Sequence, residues 1–358
     1  MNEDIHIDHL PGRTLILEGK EYLYCSGTSY LGMARNVGFQ ANLLEGMQLY
    51  GSNYSSTRIS NLKLQIFEQA EEYLAHFTGA EAALTMSSGF LTGQMVIRLL
   101  ENKGRLVYAP RTHPALWRTQ ADFYDGEYTQ WVTTFQTAIS TFLEKDLILI
   151  TNSLDPLLAQ KYDFSWIAQL PIDKNITLVV DDSHGFGVTG NEGAGIFSYL
   201  QLYTNVRLIV LSSLGKAFGI PGGVILSDKA TIAMFKSNAF FGGSSPVIPA
   251  YLYAFLQSQS IYRQEREKLF RNIEAFTSRI AYFHLFDYFP SYPVFYTRQH
   301  QLCSYLKENG VLISSFPYPS AQDDLITRII ISSLHTEADI HHVSDLIEGY
   351  VNQSASKK

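Results

Sequence analysis

The chain alternates short apolar runs with longer amphipathic stretches. AALTM (82–86), RLVYA (105–109), LILITN (147–152), ITLVVDD (176–182), VRLIVLSS (206–213) and GGVILS (222–227) are aliphatic or β-branched, which predicts strands. Helix-like segments fall between most of them, including IFEQAEEYLAHF (66–77) and the stretch GQMVIRLLEN that follows SSGF. Runs this apolar suit strands buried on both faces, and strands alternating with helices suggest a mostly parallel sheet. The texture changes near residue 255. A long helical stretch, QEREKLFRNIEAFTSRI, precedes the strand-like PVFYT and LITRIIIS and a closing helix, ADIHHVSDLIEGY. TLILEGKEYLY (14–24) is assigned to the same region, and NQSASKK (352–358) is read as a frayed tail. The expected fold is therefore α/β. A large sheet domain with helices on both faces spans 39–254, and a smaller α+β domain takes 1–38 and 255–358.

Composition narrows the function classes. A net charge of −7 over 358 residues gives no basic footprint for nucleic acid or an anionic membrane surface. No apolar run approaches the ~20 residues of a membrane helix. The two cysteines, Cys25 and Cys303, form no C-x-x-C, so neither a disulfide framework nor a metal site is expected. The opening MNEDIHIDHL lacks the apolar core of a secretory signal, and a cytoplasmic protein is the expectation.

DDSHGFGVTG (181–190) contains a literal G-x-G-x-x-G at Gly185, Gly187 and Gly190. A dinucleotide fingerprint puts its first glycine directly after an early strand and opens a helix after its last. Here Ser183 and His184 intervene, the strand is late in the chain, and NEGAG follows. The chemistry is better sought in the residues before the glycines. Asp181 and Asp182 end a strand, where α/β proteins place ligand contacts. The next strand runs into SSLGKAFGIPGG, which carries Lys216 among Leu214, Ala217, Phe218 and Ile220. Burial there would lower the lysine pKa and make the amine a nucleophile toward carbonyls. A lysine and a carboxylate on adjacent strand ends suggest pyridoxal 5′-phosphate, whose aldehyde takes an amine and whose ring nitrogen needs an acid partner.

Taken together, TSYLGM (28–33), GSNYSSTR (51–58), SSGF (87–90), TH (112–113), NSLD (152–155), DDSHGFGVTG, SSLGK (212–216) and TRIIISSLH (327–335) resemble the α-oxoamine synthases. These are fold-type I pyridoxal-phosphate transferases. The resemblance implies Lys216 as covalent anchor and proton carrier, Asp181 as partner of the ring nitrogen and His184 beside the phenolic oxygen. It implies His113 stacked on the ring and Ser153 near the ring oxygen. Ser88, Gly89 and Phe90 open a helix after a strand, which suits phosphate binding. Ser213 is a second phosphate candidate, and Ser244 or Ser245 would reach a neighbouring subunit's phosphate in a homodimer. Arg328 would hold an amino-acid carboxylate, and Asp182 is read as structural.

The implied reaction condenses an amino acid with an acyl-CoA and releases CO₂. Transamination, aldolase-type cleavage and a non-catalytic partner subunit are the competing readings. The chain departs from the family pattern at Asn61, Leu62 and Phe67 after Arg58, at DPL (155–157) and at SAQDD (320–324).

Overall fold

The computed structural model describes residues 6–355. The chain divides into two units, one of residues 36–155 and 161–261, the other of 1–35, 156–160 and 262–358.

The larger unit is built on a six-stranded sheet. Its order is Ala82–Met86, Gly223–Ser227, Arg207–Ser213, Asn175–Asp181, Asp146–Asn152, Arg105–Tyr108. Gly223–Ser227 runs antiparallel to both neighbours, and the other pairings are parallel. Both faces are covered. Leu84, Met86, Ile148, Ile150, Val179, Ile209, Leu211 and Ile225 pack on one side with Met95, Val96, Ile232 and Phe235. The alternating residues Leu147, Leu149, Leu178, Val180 and Val210 are buried as well. The helices start where polar caps satisfy free backbone N–H groups. Asn36 caps Val37–Tyr50, Ser88 caps Gly89–Leu100 and Asp228 caps Lys229–Lys236. Gln65–Thr78 stops at Gly79, which takes a left-handed φ of 79°.

Register brings the strand ends level. Asn152 lies opposite Asp181, Asp181 opposite Leu211, and Gly223 is flanked by Ser213 and Met86. Residues that follow Asn152, Asp181, Ser213 and Met86, and those that precede Gly223, emerge on one edge of the sheet, the carboxyl edge of its parallel strands.

A buried charge cluster ties this unit together. Glu71 bonds Arg58 Nη1 at 2.9 Å, Lys236 Nζ at 3.0 Å and the Thr85 amide at 2.9 Å. Burial pushes the Glu71 carboxyl up, but Arg58, Lys236 and Thr85 overcome this and hold it below its usual range. The Phe67 ring, one of the departures noted above, lies 4.3 Å from the Arg58 guanidinium. Glu71→Ala should therefore cost about 3–5 kcal/mol, the effect of stranding a buried partner charge. Chemical denaturation would measure it, and a loss under about 1 kcal/mol would show the cluster to be dispensable.

In the smaller unit the sheet order is Thr14–Leu17, Lys20–Cys25, Val311–Pro317, Leu325–Ile330, Val294–Thr297. The first two strands form a hairpin through Glu18 and Gly19, both at positive φ (52° and 77°), as a two-residue turn requires. Helices Gln301–Glu308 and Glu337–Ala355 belong to this unit, as does most of Gln259–Ile280. Val311–Pro317 is a strand that the apolar pattern does not announce, because Ser314 and Ser315 interrupt it. The closing helix also runs three residues beyond Asn352, through the expected tail, and residues 356–358 lie outside those described. Among the described residues no helix is long and apolar enough to cross a membrane.

Candidate active site

The carboxyl edge of the large sheet gathers most of the residues singled out by sequence. Asp181 ends its strand buried at 7% exposure, and its Oδ1 accepts from the Ser183 amide at 2.8 Å. Lys216 lies in a loop whose base is closed by Leu214 N–H donating to Gly222 O (2.9 Å) and Ile220 N–H to Leu214 O (3.1 Å). The lysine keeps a partly exposed surface although its amine sits deep among protein atoms. Burial lowers its pKa to about 8, with Asp181 and then Asp182 opposing the shift.

His113 is close enough to feel both. Burial depresses its pKa, Asp181 opposes this, and Lys216 adds to it. Its Nδ1 accepts from the Ala115 amide at 3.1 Å, which fixes the neutral ring with the proton on Nε2. Lys216, Asp181 and His113 thus form one electrostatic group. His184 follows in the turn after the strand and is half-buried.

The glycines of 181–190 serve Asp182. This carboxylate is 2% exposed, and its Oδ2 accepts from Ile196 N at 2.9 Å. A Cβ at Gly185 would lie 2.2 Å from Asp182 Oδ1, and one at Gly195 would lie 2.1 Å from Oδ2. Gly190, at φ 75°, would strike Gly195 O at 2.2 Å. The backbone is wrapped around the side chain so closely that only glycine fits. Burial raises the Asp182 pKa to about 7, against the smaller opposing influences of Ser153 and the Ile196 amide. Ser153 Oγ and Asp182 Oδ1 are both buried, and the serine hydroxyl favours the charged carboxylate.

A second cluster lies beside the first. Ser88 Oγ accepts from Leu91 N at 3.1 Å and caps the helix that begins at Gly89. A Cβ on Gly89 would meet Ser213 Cβ at 2.7 Å, so the helix start and Ser213 are in contact. Ser213 Oγ accepts from Gly215 N at 3.2 Å. Phe90, the next residue of that helix, is 55% exposed. Ser183, not singled out by sequence, fixes the edge: its buried Oγ accepts from Ser213 N at 2.8 Å. Its only sequence signal was its place between Asp181 and His184.

Ser244 donates to Phe241 O at 2.9 Å, and Ser245 is exposed. Arg328 belongs to the smaller unit, 5% exposed, with Nη1 donating to Pro156 O at 2.7 Å and Nε buried without a partner.

A pKa near 8 has a direct consequence for reactivity. Capture of an aldehyde by Lys216 in ligand-free protein should accelerate about tenfold per pH unit and flatten above pH 8, because only the neutral amine attacks. Stopped-flow absorbance would follow it. A rise that continues past pH 10 would mean an ordinary, solvated lysine.

Comparison with known proteins places the chain among relatives of similar length and fold. The 8-amino-7-oxononanoate synthase of Petrotoga mobilis is 26% identical over 352 residues, covering 93% of this chain and 89% of that enzyme. The enzyme of the same name from Pseudomonas savastanoi pv. phaseolicola is 24% identical over 353 residues, with 94% and 89% covered. Among solved structures, Sphingomonas wittichii serine palmitoyltransferase superposes with a TM-score of 0.83 at 15% identity, covering 98% of this chain and 92% of that one. The 8-amino-7-oxononanoate synthase of Francisella tularensis gives 0.71 at 20% identity, covering 93% and 99%. The aminotransferase class I and II family matches residues 30–347, and the chain belongs to that family.

Proposed function

We propose that the protein is a pyridoxal 5′-phosphate-dependent acyltransferase of the α-oxoamine synthase type. The observation that carries this reading is a lysine with a pKa near 8 beside a buried carboxylate, next to a serine- and glycine-lined helix start. The residues fit the cofactor. Gly89 opens a helix in contact with Ser213, Ser153 Oγ is a buried hydroxyl, and Lys216 is the amine. Serine palmitoyltransferase from S. paucimobilis, which shares this fold at 16% identity and a TM-score of 0.82, was solved with bound PLP–myriocin.

When bound, pyridoxal phosphate supplies an aldehyde for amine exchange and a ring that withdraws electrons from the substrate's α-carbon. The protein's part is to hold and move protons. Lys216 would hold the cofactor's aldehyde and, as a free amine, would take the α-proton of the substrate. Asp181 holds a proton on the ring nitrogen through its buried negative charge. His113, neutral and tied down through Nδ1, covers the ring face. Ser88, Gly89, Phe90 and Ser213 bind phosphate, and His184 and Ser153 address the ring oxygen. Arg328 takes the substrate carboxylate by its planar fork. Overall, the α-carbon bonds the thioester carbonyl carbon, the thiol leaves with a proton, and CO₂ departs. The relatives above favour an 8-amino-7-oxononanoate synthase-like substrate pair.

A second copy of the chain is part of this proposal. Val37, Leu44 and Met47 form an exposed apolar stripe on one helix, and Leu62 is 76% exposed on the same unit. The exposed Ser245 and its neighbour Ser244 would then serve the other copy's phosphate. Mixing Lys216→Ala subunits with Ser244→Ala/Ser245→Ala subunits should regenerate activity if sites are shared.

The deciding assay is thiol release from a panel of acyl thioesters with individual amino acids. Amino-acid-dependent release with CO₂ supports the proposal. Accumulation of pyridoxamine phosphate without thiol release would favour an aminotransferase instead.

A further inference from the structure

The loop that carries His113 is gripped at two points by the strand Asp146–Asn152 and the residues just after it. Arg111 has a φ of 53°, a left-handed conformation that side-chain-bearing residues disfavour. Asn152 Nδ2 donates to Arg111 O at 2.8 Å, and Asn152 Oδ1 accepts from His113 N at 3.4 Å. One carboxamide thus spans the left-handed residue and the histidine two positions on. The Arg111 side chain is anchored as well. Its Nη1 lies 3.3 Å from Asp155 Oδ2, and its Nε donates to Asp125 Oδ1 at 2.7 Å. Asp155 is 1% exposed, so this end of the arginine is held by a carboxylate inside the protein. Burial opposes the Arg111 charge, and the two carboxylates more than offset that.

Asn152 is also in register with Asp181. The side chain that grips the loop and the carboxylate that acts on His113 therefore rise from paired positions on adjacent strands. Any shift of the Arg111 turn would carry His113 along the sheet edge, away from Asp181 and Lys216.

We propose that Asn152 is a positioning residue, which locks the turn at Arg111 so that the His113 ring is held against the group formed by Asp181 and Lys216. This rests on the reading that His113 covers the cofactor ring. Only a side chain with both a donor and an acceptor makes the two bonds. Aspartate at 152 keeps volume and the acceptor for His113 N, loses the donor to Arg111 O, and sets a negative charge against that carbonyl.

The test uses Asn152→Ala, Asn152→Asp and His113→Phe. The ligand-free proteins are examined by NMR titration of the His113 imidazole. The holoenzymes are examined by visible circular dichroism of bound pyridoxal phosphate and by kcat and KM. Asn152→Ala should move the His113 titration up toward that of an ordinary histidine, because the ring gains solvent; in Asn152→Asp the added charge raises it by itself, so that variant is read by dichroism and kcat. Both variants should weaken the dichroism band and lower kcat roughly 10- to 100-fold with KM little changed, the scale of a small misplacement of a positioned group. Asn152→Asp is the reading variant if the alanine fails to fold. A folded Asn152→Ala with unchanged His113 titration and dichroism, or a folded Asn152→Asp with unchanged dichroism and kcat, overturns the proposal. If His113→Phe itself leaves dichroism and kcat unchanged, the reading of His113 is the one that fails.

Discussion

Lys216→Ala is expected to abolish covalent retention of pyridoxal 5′-phosphate and to lower turnover by about 10²–10⁴-fold, the range for losing a positioned acid–base group. The effect is large because the amine is buried beside Asp181. With a pKa near 8, about a tenth of Lys216 is the neutral amine at pH 7, against fewer than about one in a thousand for a solvated lysine. Burial produces this state, and Asp181 and Asp182 keep it from going further. Borohydride reduction of the wild-type protein followed by peptide mapping should place the cofactor on Lys216. Cofactor found on a different lysine would end the assignment.

The second large effect concerns two adjacent carboxylates with different work. Asp181→Asn should keep the fold and lower α-proton exchange by about 10²–10³-fold, because a neutral amide cannot hold the ring nitrogen's proton by charge. It should also move the plateau of aldehyde capture below pH 8, since Asp181 is the larger charge holding the lysine pKa up. Asp182→Asn should behave oppositely. Asp182 has one oxygen on Ile196 N, a glycine wall on each side and a pKa near 7, so the amide mimics its protonated form. Exchange should change little. The signature is in stability: a raised native pKa means the folded protein binds the proton more tightly. That contribution is full below about pH 4 and is lost as pH rises through about 7. The variant should remove this slope from denaturation curves taken between pH 4 and 8. Slow exchange in Asp182→Asn and normal exchange in Asp181→Asn would reverse the assignment.

The large sheet was legible because burial on both faces leaves a continuous aliphatic record. Ala82–Met86 matches the run AALTM end to end, and Asn175–Asp181 is displaced from its run by a single position. Val37–Tyr50 left no such record, because Val37, Leu44 and Leu49 face outward and blur its amphipathic pattern. At the site, Lys216 could be noticed from its apolar neighbours alone. Ser183 and Asn152 could not, since each acts on a backbone group 30 or more positions away: Ser183 on Ser213, Asn152 on Arg111. The glycine spacing misled for a physical reason. Close approach to a carboxylate oxygen and close approach to a pyrophosphate both exclude a Cβ, and the letters record only the exclusion.

The antiparallel strand Gly223–Ser227 has a consequence for how this chain acquires its chemistry. Because Gly223 pairs with Ser213, the segment bearing Lys216 is the tip of a hairpin closed over the nine residues 214–222. Its closure entropy is small, and it can form as soon as those two strands meet. Asp181 comes from a separate parallel crossover, and His113 from an excursion that leaves the strand Arg105–Tyr108 and must be caught by Asn152. By loop length alone, assembly is expected to run from the nucleophile outward. The amine is set in place by local contacts, and the neighbours that tune it arrive only when distant parts of the sheet zip up.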